Sequence, residues 1–472
     1  MILGYRKEIL LFLTALCLQI SVFLFLFVWF VGLGHMPEAA LHYPVYGGDS
    51  SSYFDISQNL LHYGVYSIEQ SPHLVPDSFR LPGYPFFLYF LQLLGLPIVG
   101  IVFIQMLLGS GSVVLTYLIG KKFLQEKVAF VAALLLCIEP TSVFFSTFVM
   151  SDTLFVFTLL LSVYLLFCTQ PDAKKNLLWL FLSGALLGFA VLVRAVALYL
   201  PPLLILAWGV LYRKELGPVT KNLARLAVFV LAILLVVAPW SLRNHKQFGV
   251  YDISATPYVN ATQFNLPLFY SYQHRVPLAQ VYPIFSAPFA SSPGYPQIQT
   301  LANKAIFQKI IHEQLQGNYL AYAYFHSIKT LPFFVTDGTR DINRMVGLIQ
   351  IPPDQTNFST MLLQKNISGI AHYFLSPGPN LWMLLAGSLP WILISSLWLF
   401  ELGYVLVRRP PTFWFVCIAS GLILYFAFLT GPVTEHRYRM PAAPFMLLLA
   451  VQGAFTLRQL WRTKSASANP SR

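Results

Sequence analysis

The sequence predicts an all-α polytopic membrane protein with about ten transmembrane helices, within a range reaching 11–13. Three observations carry this expectation. Of its 472 residues, 57% are apolar and only 10% charged, whereas a soluble domain carries about 25% charged residues. Apolar runs of bilayer length recur along the chain, each near the about 20 residues that a ~30 Å hydrocarbon core requires. Lys and Arg gather in alternate connections between those runs. With so few ionic groups, most of the surface must face lipid. The 16% aromatic content suits lipid contact and interfacial belts.

In order, the runs cover 9–33, 98–120, 128–148, 152–168, 177–194, 196–212, 223–240, 381–406, 413–430 and 441–459. The first follows Arg6 and Lys7, exceeds a signal h-region and lacks a small-residue cleavage site, so it is expected to remain as a span. Residues 84–94 make only half a span and are expected to be interfacial or re-entrant. With the N-terminus inside, the short inner loops collect Lys121, Lys122, Lys127, Lys174, Lys175, Arg213, Lys214, Lys221 and Arg225, then Arg408 and Arg409. The first outer loop carries Arg80 as its only basic residue. This asymmetry predicts a multi-pass protein of the cytoplasmic (inner) membrane with both termini cytoplasmic.

The expected organisation is a transmembrane module over 1–240 whose first outer loop, 35–80, contains interfacial helices and the catalytic residue. A small, mostly helical outer domain follows over 241–380, then transmembrane helices over 381–464 and a disordered tail over 465–472. Loops this long in compact proteins are usually functional. The net charge of +12 does not point to nucleic acid, because no basic stripe with interleaved aromatics accompanies it. Cys17, Cys137, Cys168 and Cys417 lie in or beside apolar runs without metal-ligand spacing and read as buried thiols. No His, Cys or Asp constellation suggests a tightly held metal, so no cofactor is expected.

The chemistry is expected where cations sit against the positive-inside pattern. Arg80, Arg194, Arg243, Lys246, Arg437 and Arg439 lie at outer membrane boundaries. Two readings compete: side chains snorkelling to headgroups or pairing with acids such as Asp152 and Glu435, or guanidiniums binding a phosphate ligand. Asp49, among small polar neighbours, suits a general base on a hydroxyl or amine. An aspartate in such a loop equally suits a turn or a helix cap. Asp55 can share the site, cap a helix or be solvated. Arg80 is held between Phe79 and the Pro82, Gly83, Pro85 turn, where the prolines fix the backbone and the glycine permits close approach.

Five segments in this order resemble the C-type polytopic glycosyltransferases, and within them the bacterial protein mannosyltransferase and aminoarabinose-transferase-like group. They are GGDSSSYFDISQNLLHYGVYS at 47–67, FRLPGYPFFLYFLQLLG at 79–95, SDTLF at 151–155, PWSLRN at 239–244 and EHRYRMP at 435–441. The resemblance implies transfer of a sugar from a polyprenyl-phosphate donor to a glycan, lipid or protein acceptor at the outer membrane face. Asp49 would be the base, with Tyr53, Asp55, Asp152 and Glu435 in the substrate site. Arg80, Arg243, Arg437 and Arg439 would hold the lipid phosphate, with Arg194 beside them. Two departures stand out. Ser50 replaces the second acid of a common acidic pair, which puts the use of a divalent metal in doubt, and Arg80-Leu81-Pro82 replaces a Lys-Pro-Pro string. The alternative is a transporter or flippase of lipid-linked saccharides, for which Glu139 and Glu401 are the acids at membrane depth.

Overall fold

The computed structural model describes residues 6–32, 49–168, 176–213, 219–290, 292, 297–336, 338, 342, 358–375, 384–433 and 435–468. Among them every regular element is helical. Five helices are long and apolar enough to cross a bilayer: Arg6–Gly32, Ile98–Phe123, Asn222–Phe248, Ala386–Arg408 and Ala443–Thr463. Four shorter apolar helices accompany them: Ser151–Phe167, Leu177–Val193, Ala195–Leu211 and Phe413–Leu429. This is a polytopic membrane protein, as the composition predicts.

The first helix, α1 (Arg6–Phe27), buries Leu11, Ala15, Gln19, Phe23 and Leu26, a stripe at helical spacing. Cys17 falls off that stripe and is exposed, against the expectation of a buried thiol, while Cys137 is buried. The first loop contains α2 (Ser50–Tyr63) and leads into α3 (Gly83–Leu93), both too short to span, as expected for these two segments. Helix α2 ends at Gly64, whose positive φ lets its N–H reach the carbonyls of Asn59 and Leu60.

After α4 (Ile98–Phe123) the structure corrects one span. Residues 128–148 do not form one helix but α5 (Glu126–Cys137) and α6 (Pro140–Phe145). Pro140 has no N–H to continue the ladder, and the Glu139 carboxylate accepts from Thr141 N at 3.2 Å and Ser142 N at 2.6 Å, starting a new helix. Glu139, held as a candidate acid at membrane depth, is thus a helix cap.

Helices α7 (Ser151–Cys168), α8 (Asn176–Val193), α9 (Leu200–Leu211) and α10 (Val219–Phe248) complete the first module. Ser162 and Ser183 each donate to the other's carbonyl at 2.8 Å, pinning α7 to α8. Gly184 lies so close to the Phe229 carbonyl of α10 that a Cβ would approach it to 2.3 Å. Small residues of this kind let membrane helices meet backbone to backbone. Helix α10 runs two turns beyond the predicted 223–240. Its polar end continues because Asn244 donates to the carbonyls of Asp252 (2.8 Å) and Ile253 (3.1 Å), where it meets the following domain.

Short helices then build a separate core around Val259, Leu266, Phe285, Phe289 and Phe307. They are α11 (Thr256–Val259), α12 (Leu266–His274), α13 (Leu278–Ser286) and α14 (Lys304–Leu315). Next come α15 (Tyr319–Thr330), α16 (Pro332–Val335), α17 (Phe358–Leu363) and α18 (Ile367–Leu375). The chain returns to the bundle through α19 (Leu389–Arg408), α20 (Phe413–Leu429) and α21 (Ala443–Ala468). Helix α21 extends four residues into the segment expected as a tail; 469–472 lie outside the described residues.

Candidate active site

One end of the helix bundle gathers six of the charged residues singled out in the sequence, Asp49, Arg80, Asp152, Arg194, Glu435 and Arg437. Asp49 occupies the N-cap position of α2, yet its side chain makes no cap hydrogen bond. Its carboxylate is instead bridged: Oδ1 accepts from Arg80 Nη2 at 3.0 Å and Oδ2 from Arg437 Nη1 at 3.1 Å. The cap reading of Asp49 therefore gives way to a role facing the arginines. Arg437 also donates from Nε to Glu435, so one guanidinium bridges two acids. It sits in a 3-10 turn, His436–Arg439, directly before α21.

A second ion pair stands beside the first. Asp152, in the first turn of α7, pairs with Arg194, which follows the last residue of α8. Helix ends explain the match: acids are favoured at N-termini and cations at C-termini. Neighbouring α7 and α8 bring the two ends together. The Arg194 and Arg437 guanidiniums both lie over the Tyr438 ring, 5.4 and 5.3 Å from its centroid. Tyr53 closes the other side; its ring lies 5.1 Å from Arg80 Cζ and 4.9 Å from the Tyr84 ring, and its hydroxyl is 3.3 Å from Ser151 Oγ.

Gly83 makes this arrangement possible at the backbone level. A Cβ there would come within 2.8 Å of the Leu192 carbonyl and 2.7 Å of Val193. Only glycine lets the start of α3, just past Arg80, touch the end of α8, just before Arg194.

The electrostatics follow from burial and pairing. Burial pushes the Asp49 carboxyl upward, but the charges and hydrogen bonds of Arg80 and Arg437 outweigh it and hold the group below the usual carboxylate range. Burial likewise opposes the charge on Arg437, and Tyr438, Glu435, Asp152 and Asp49 together more than offset that. Three guanidiniums (Arg80, Arg194, Arg437) thus face three carboxylates (Asp49, Asp152, Glu435), and each carboxylate has an arginine partner.

The remaining sequence candidates fall elsewhere. Asp55 lies further along α2 with its carboxyl raised by burial and has no ion pair among the described residues. Arg243 reaches the first loop, donating to the Asp77 carbonyl at 2.7 Å and lying 4.7 Å from the Trp240 ring. Lys246 is exposed. Arg439, expected among the phosphate ligands, is 1% exposed, donates to the Phe333 carbonyl at 2.8 Å and stacks 3.6 Å from the Trp391 ring. Glu401 is buried in the membrane helix α19, away from this end. Among the described residues, no cluster of three or more His, Cys, Asp or Glu could hold a metal ion.

Sequence reasoning missed Tyr438, Tyr66 and Asp77. Tyr66 donates from its hydroxyl to the Arg80 carbonyl at 3.1 Å, and Asp77 Oδ2 accepts the Arg80 N–H at 2.8 Å. The available signal was spacing: an Asp three residues before an Arg in a proline-bounded turn is placed to accept that residue's N–H.

Fold and site together define a polytopic helical membrane protein with a cluster of paired guanidiniums and carboxylates at one end of its bundle. Residues 19–248, just under half of the chain, match the model of the dolichyl-phosphate-mannose-protein mannosyltransferase family. The apo crystal structure of the Archaeoglobus fulgidus oligosaccharyltransferase aligns over 98% of this chain and 52% of its own, at 13% identity and a TM-score of 0.50. The same enzyme tethered to an acceptor peptide containing the NVT sequon aligns over 98% and 51%, at 12% identity and 0.51. ArnT from Cupriavidus metallidurans bound to undecaprenyl phosphate aligns over 96% and 79%, at 16% identity and 0.39. The chain spans about half the length of the oligosaccharyltransferase. No curated protein matches it. The resemblance to the C-type polytopic glycosyltransferases is borne out by the family match and the shared fold.

Proposed function

We propose that this protein is a glycosyltransferase that moves a sugar from a polyprenyl-phosphate donor to an acceptor at the outer face of the cytoplasmic membrane. The observation that carries the proposal is the bridging of Asp49 by Arg80 and Arg437, from opposite ends of the chain. A carboxylate for the acceptor and guanidiniums for a phosphate are what such a reaction requires, and they meet here. The family whose model matches takes its name from a lipid-phosphate sugar donor, which supports the same donor class.

In the reaction we infer, the acceptor oxygen or nitrogen attacks the anomeric carbon and its proton passes to Asp49. The bond between the anomeric carbon and the phosphate oxygen breaks, and the electron pair stays on the phosphate. Charge on that phosphate rises from one to two, and preorganised guanidiniums stabilise the increase. Arg80 and Arg437 are assigned to the phosphate, with Arg243 beside Arg80. Arg194 with Asp152 and Tyr53 with Tyr438 line the sugar side, and Glu435 orients Arg437. Direct displacement inverts the anomeric configuration. Arg439 is set aside as a phosphate ligand because its charge is spent inside the protein.

The pairing also supports a sequence of events. Asp49 is a poor base while two guanidiniums hold it. A donor phosphate competes for both, and once they turn to it, burial is left to raise the basicity of Asp49. Donor binding thereby arms the base. The test is transfer of radiolabelled sugar from polyprenyl-phosphate donors by the purified protein. A fall in transfer of ~10²-fold or more in Asp49→Asn supports the assignment, full turnover in that variant overturns the base, and a product of retained configuration overturns direct displacement.

A further inference from the structure

The first loop contains a carboxylate to which the reaction above gives no task. Asp77 donates its N–H to the Tyr66 carbonyl at 2.8 Å, accepts the Arg80 N–H on Oδ2 at 2.8 Å, and accepts Arg243 Nη1 on its carbonyl at 2.7 Å. A single residue thus ties Arg80, in the loop, to Arg243, on the last turns of α10. Tyr66 belongs to the same knot: its hydroxyl holds the Arg80 carbonyl at 3.1 Å and its ring lies 5.5 Å from Arg243 Cζ.

The following two residues are clamped from the loop domain. Ala255 N donates to the Ser78 carbonyl at 2.8 Å, Leu301 N to Ser78 Oγ at 2.8 Å, and the Ser254 and Thr256 hydroxyls to the Phe79 carbonyl at 2.6 and 2.7 Å. The backbone from 77 to 80 is therefore fixed on both sides, and Asp77 is the residue that links this rigid strip to α10.

We propose that Asp77 is a positioning residue that holds the Arg80 backbone through its carboxylate and the Arg243 guanidinium through its carbonyl on the phosphate side of the site, and that its own charge opposes the anion bound there. The proposal rests on the phosphate-donor reading above. A carboxylate within the field of two arginines shares that field with any anion they bind, so protonating it strengthens anion binding. Burial is the main influence on the Asp77 carboxyl and moves it up to about 6, against the pull of the Arg80 and Phe79 N–H groups and of both arginines. The charged or titratable groups facing it are Tyr66 and Arg80 from its own loop and Arg243 from α10. The loop domain contributes the hydroxyls of Ser254, Thr256 and Thr300 around Ser78 and Phe79, and these do not titrate.

The experiment measures binding of a polyprenyl methyl phosphate, a diester with one constant charge between pH 5 and 8, to the full chain in nanodiscs. Wild type is expected to lose affinity about tenfold across that range, with a midpoint near 6. Asp77→Asn keeps a side-chain acceptor for the Arg80 N–H and drops the charge. It should bind at pH 8 as tightly as wild type at pH 5, with no slope. Asp77→Ala drops the side-chain tie to the Arg80 N–H as well, keeping only the backbone carbonyl that holds Arg243, and should bind at least tenfold more weakly than Asp77→Asn at every pH. A slope retained in Asp77→Asn, or equal affinity of the Asn and Ala variants, overturns the assignment to Asp77. Failure of wild type to bind the diester at any pH overturns the phosphate-donor reading instead.

Discussion

Arg437 Nη1 lies 3.1 Å from Asp49 Oδ2, joining two residues 388 positions apart in sequence. The first loop and the turn before the last helix are thereby closed onto each other. Asp49 is held in its charged, weakly basic form by this contact and the one from Arg80. Removing the charge should separate catalysis from binding. Asp49→Asn is expected to lower the transfer rate by ~10²–10⁴-fold, the usual contribution of a general base. The same change frees two guanidiniums for the donor phosphate, so donor affinity should stay level or rise. Turnover and donor binding measured on the same preparation check both halves.

The pH dependence of the rate tests whether donor binding arms the base. In the free protein the Asp49 carboxyl sits below the usual range, so the acid limb of kcat/KM, which reports free enzyme, should fall at correspondingly low pH. With donor bound and the guanidiniums drawn to phosphate, the acid limb of kcat should lie at higher pH. Rate profiles between pH 3 and 8 under limiting and saturating donor decide this. Coincident limbs would mean that Asp49 keeps its arginine partners through the reaction.

Arg437 bridges Asp49 and Glu435 through Nη1 and Nε. A lysine ammonium is a point donor without that fork. Arg437→Lys should therefore raise the donor KM by about tenfold or more even though the charge is kept, and Arg437→Ala should lose more. Steady-state kinetics with varied donor measure the difference; a lysine variant with wild-type KM would show that charge alone suffices.

The residues of this site were legible in the sequence to the extent that each carries chemistry of its own. Asp49, Arg80, Asp152, Arg194 and Arg437 stand out because acids and guanidiniums at the ends of apolar runs are costly without purpose. Asp152 and Glu435 were open as partners for these arginines, but which arginine meets which acid was not legible, because it depends on α7 and α8 packing side by side and on Gly83 meeting Leu192. Arg439 shows the opposite limit. Two residues beyond Arg437 it has the same chemistry, but the 3-10 turn directs it inward to Phe333 and Trp391. The break in the third span was concealed because hydropathy averages over Glu139 and Pro140, which act through capping and a missing N–H. Asp77 was passed over because its role lies in backbone hydrogen bonds, which a residue list does not display.

Arg439 accordingly predicts a stability effect where its neighbour predicts a catalytic one. Its guanidinium is buried, bonded to a carbonyl and stacked on Trp391. Losing a charged hydrogen bond costs about 1.5–3 kcal/mol, and a desolvated cation–π contact about 2 kcal/mol. Arg439→Ala should unfold several degrees lower in detergent while the folded fraction keeps the wild-type donor KM. A raised KM with unchanged thermal stability would return Arg439 to the phosphate site.

Gly83 offers the sharpest test of how the fold positions the chemistry, because the change is one methyl group on a residue that touches no substrate in the proposed reaction. An added Cβ would lie 2.8 Å from the Leu192 carbonyl, a backbone atom that cannot rotate away. The start of α3 must then move off the end of α8. Overpacking of this kind costs typically about 1–3 kcal/mol, so Gly83→Ala should destabilise the protein by that order. The larger effect should be on activity. Arg80 lies three residues before the contact and Arg194 two residues after Leu192, so the displacement separates the two ion pairs. A shift of about 1 Å at a reacting geometry lowers rates by roughly 10²-fold. Transfer assays at a temperature where the variant remains folded isolate this term, and a folded Gly83→Ala protein with wild-type turnover would show that α3 and α8 need not touch for the site to assemble.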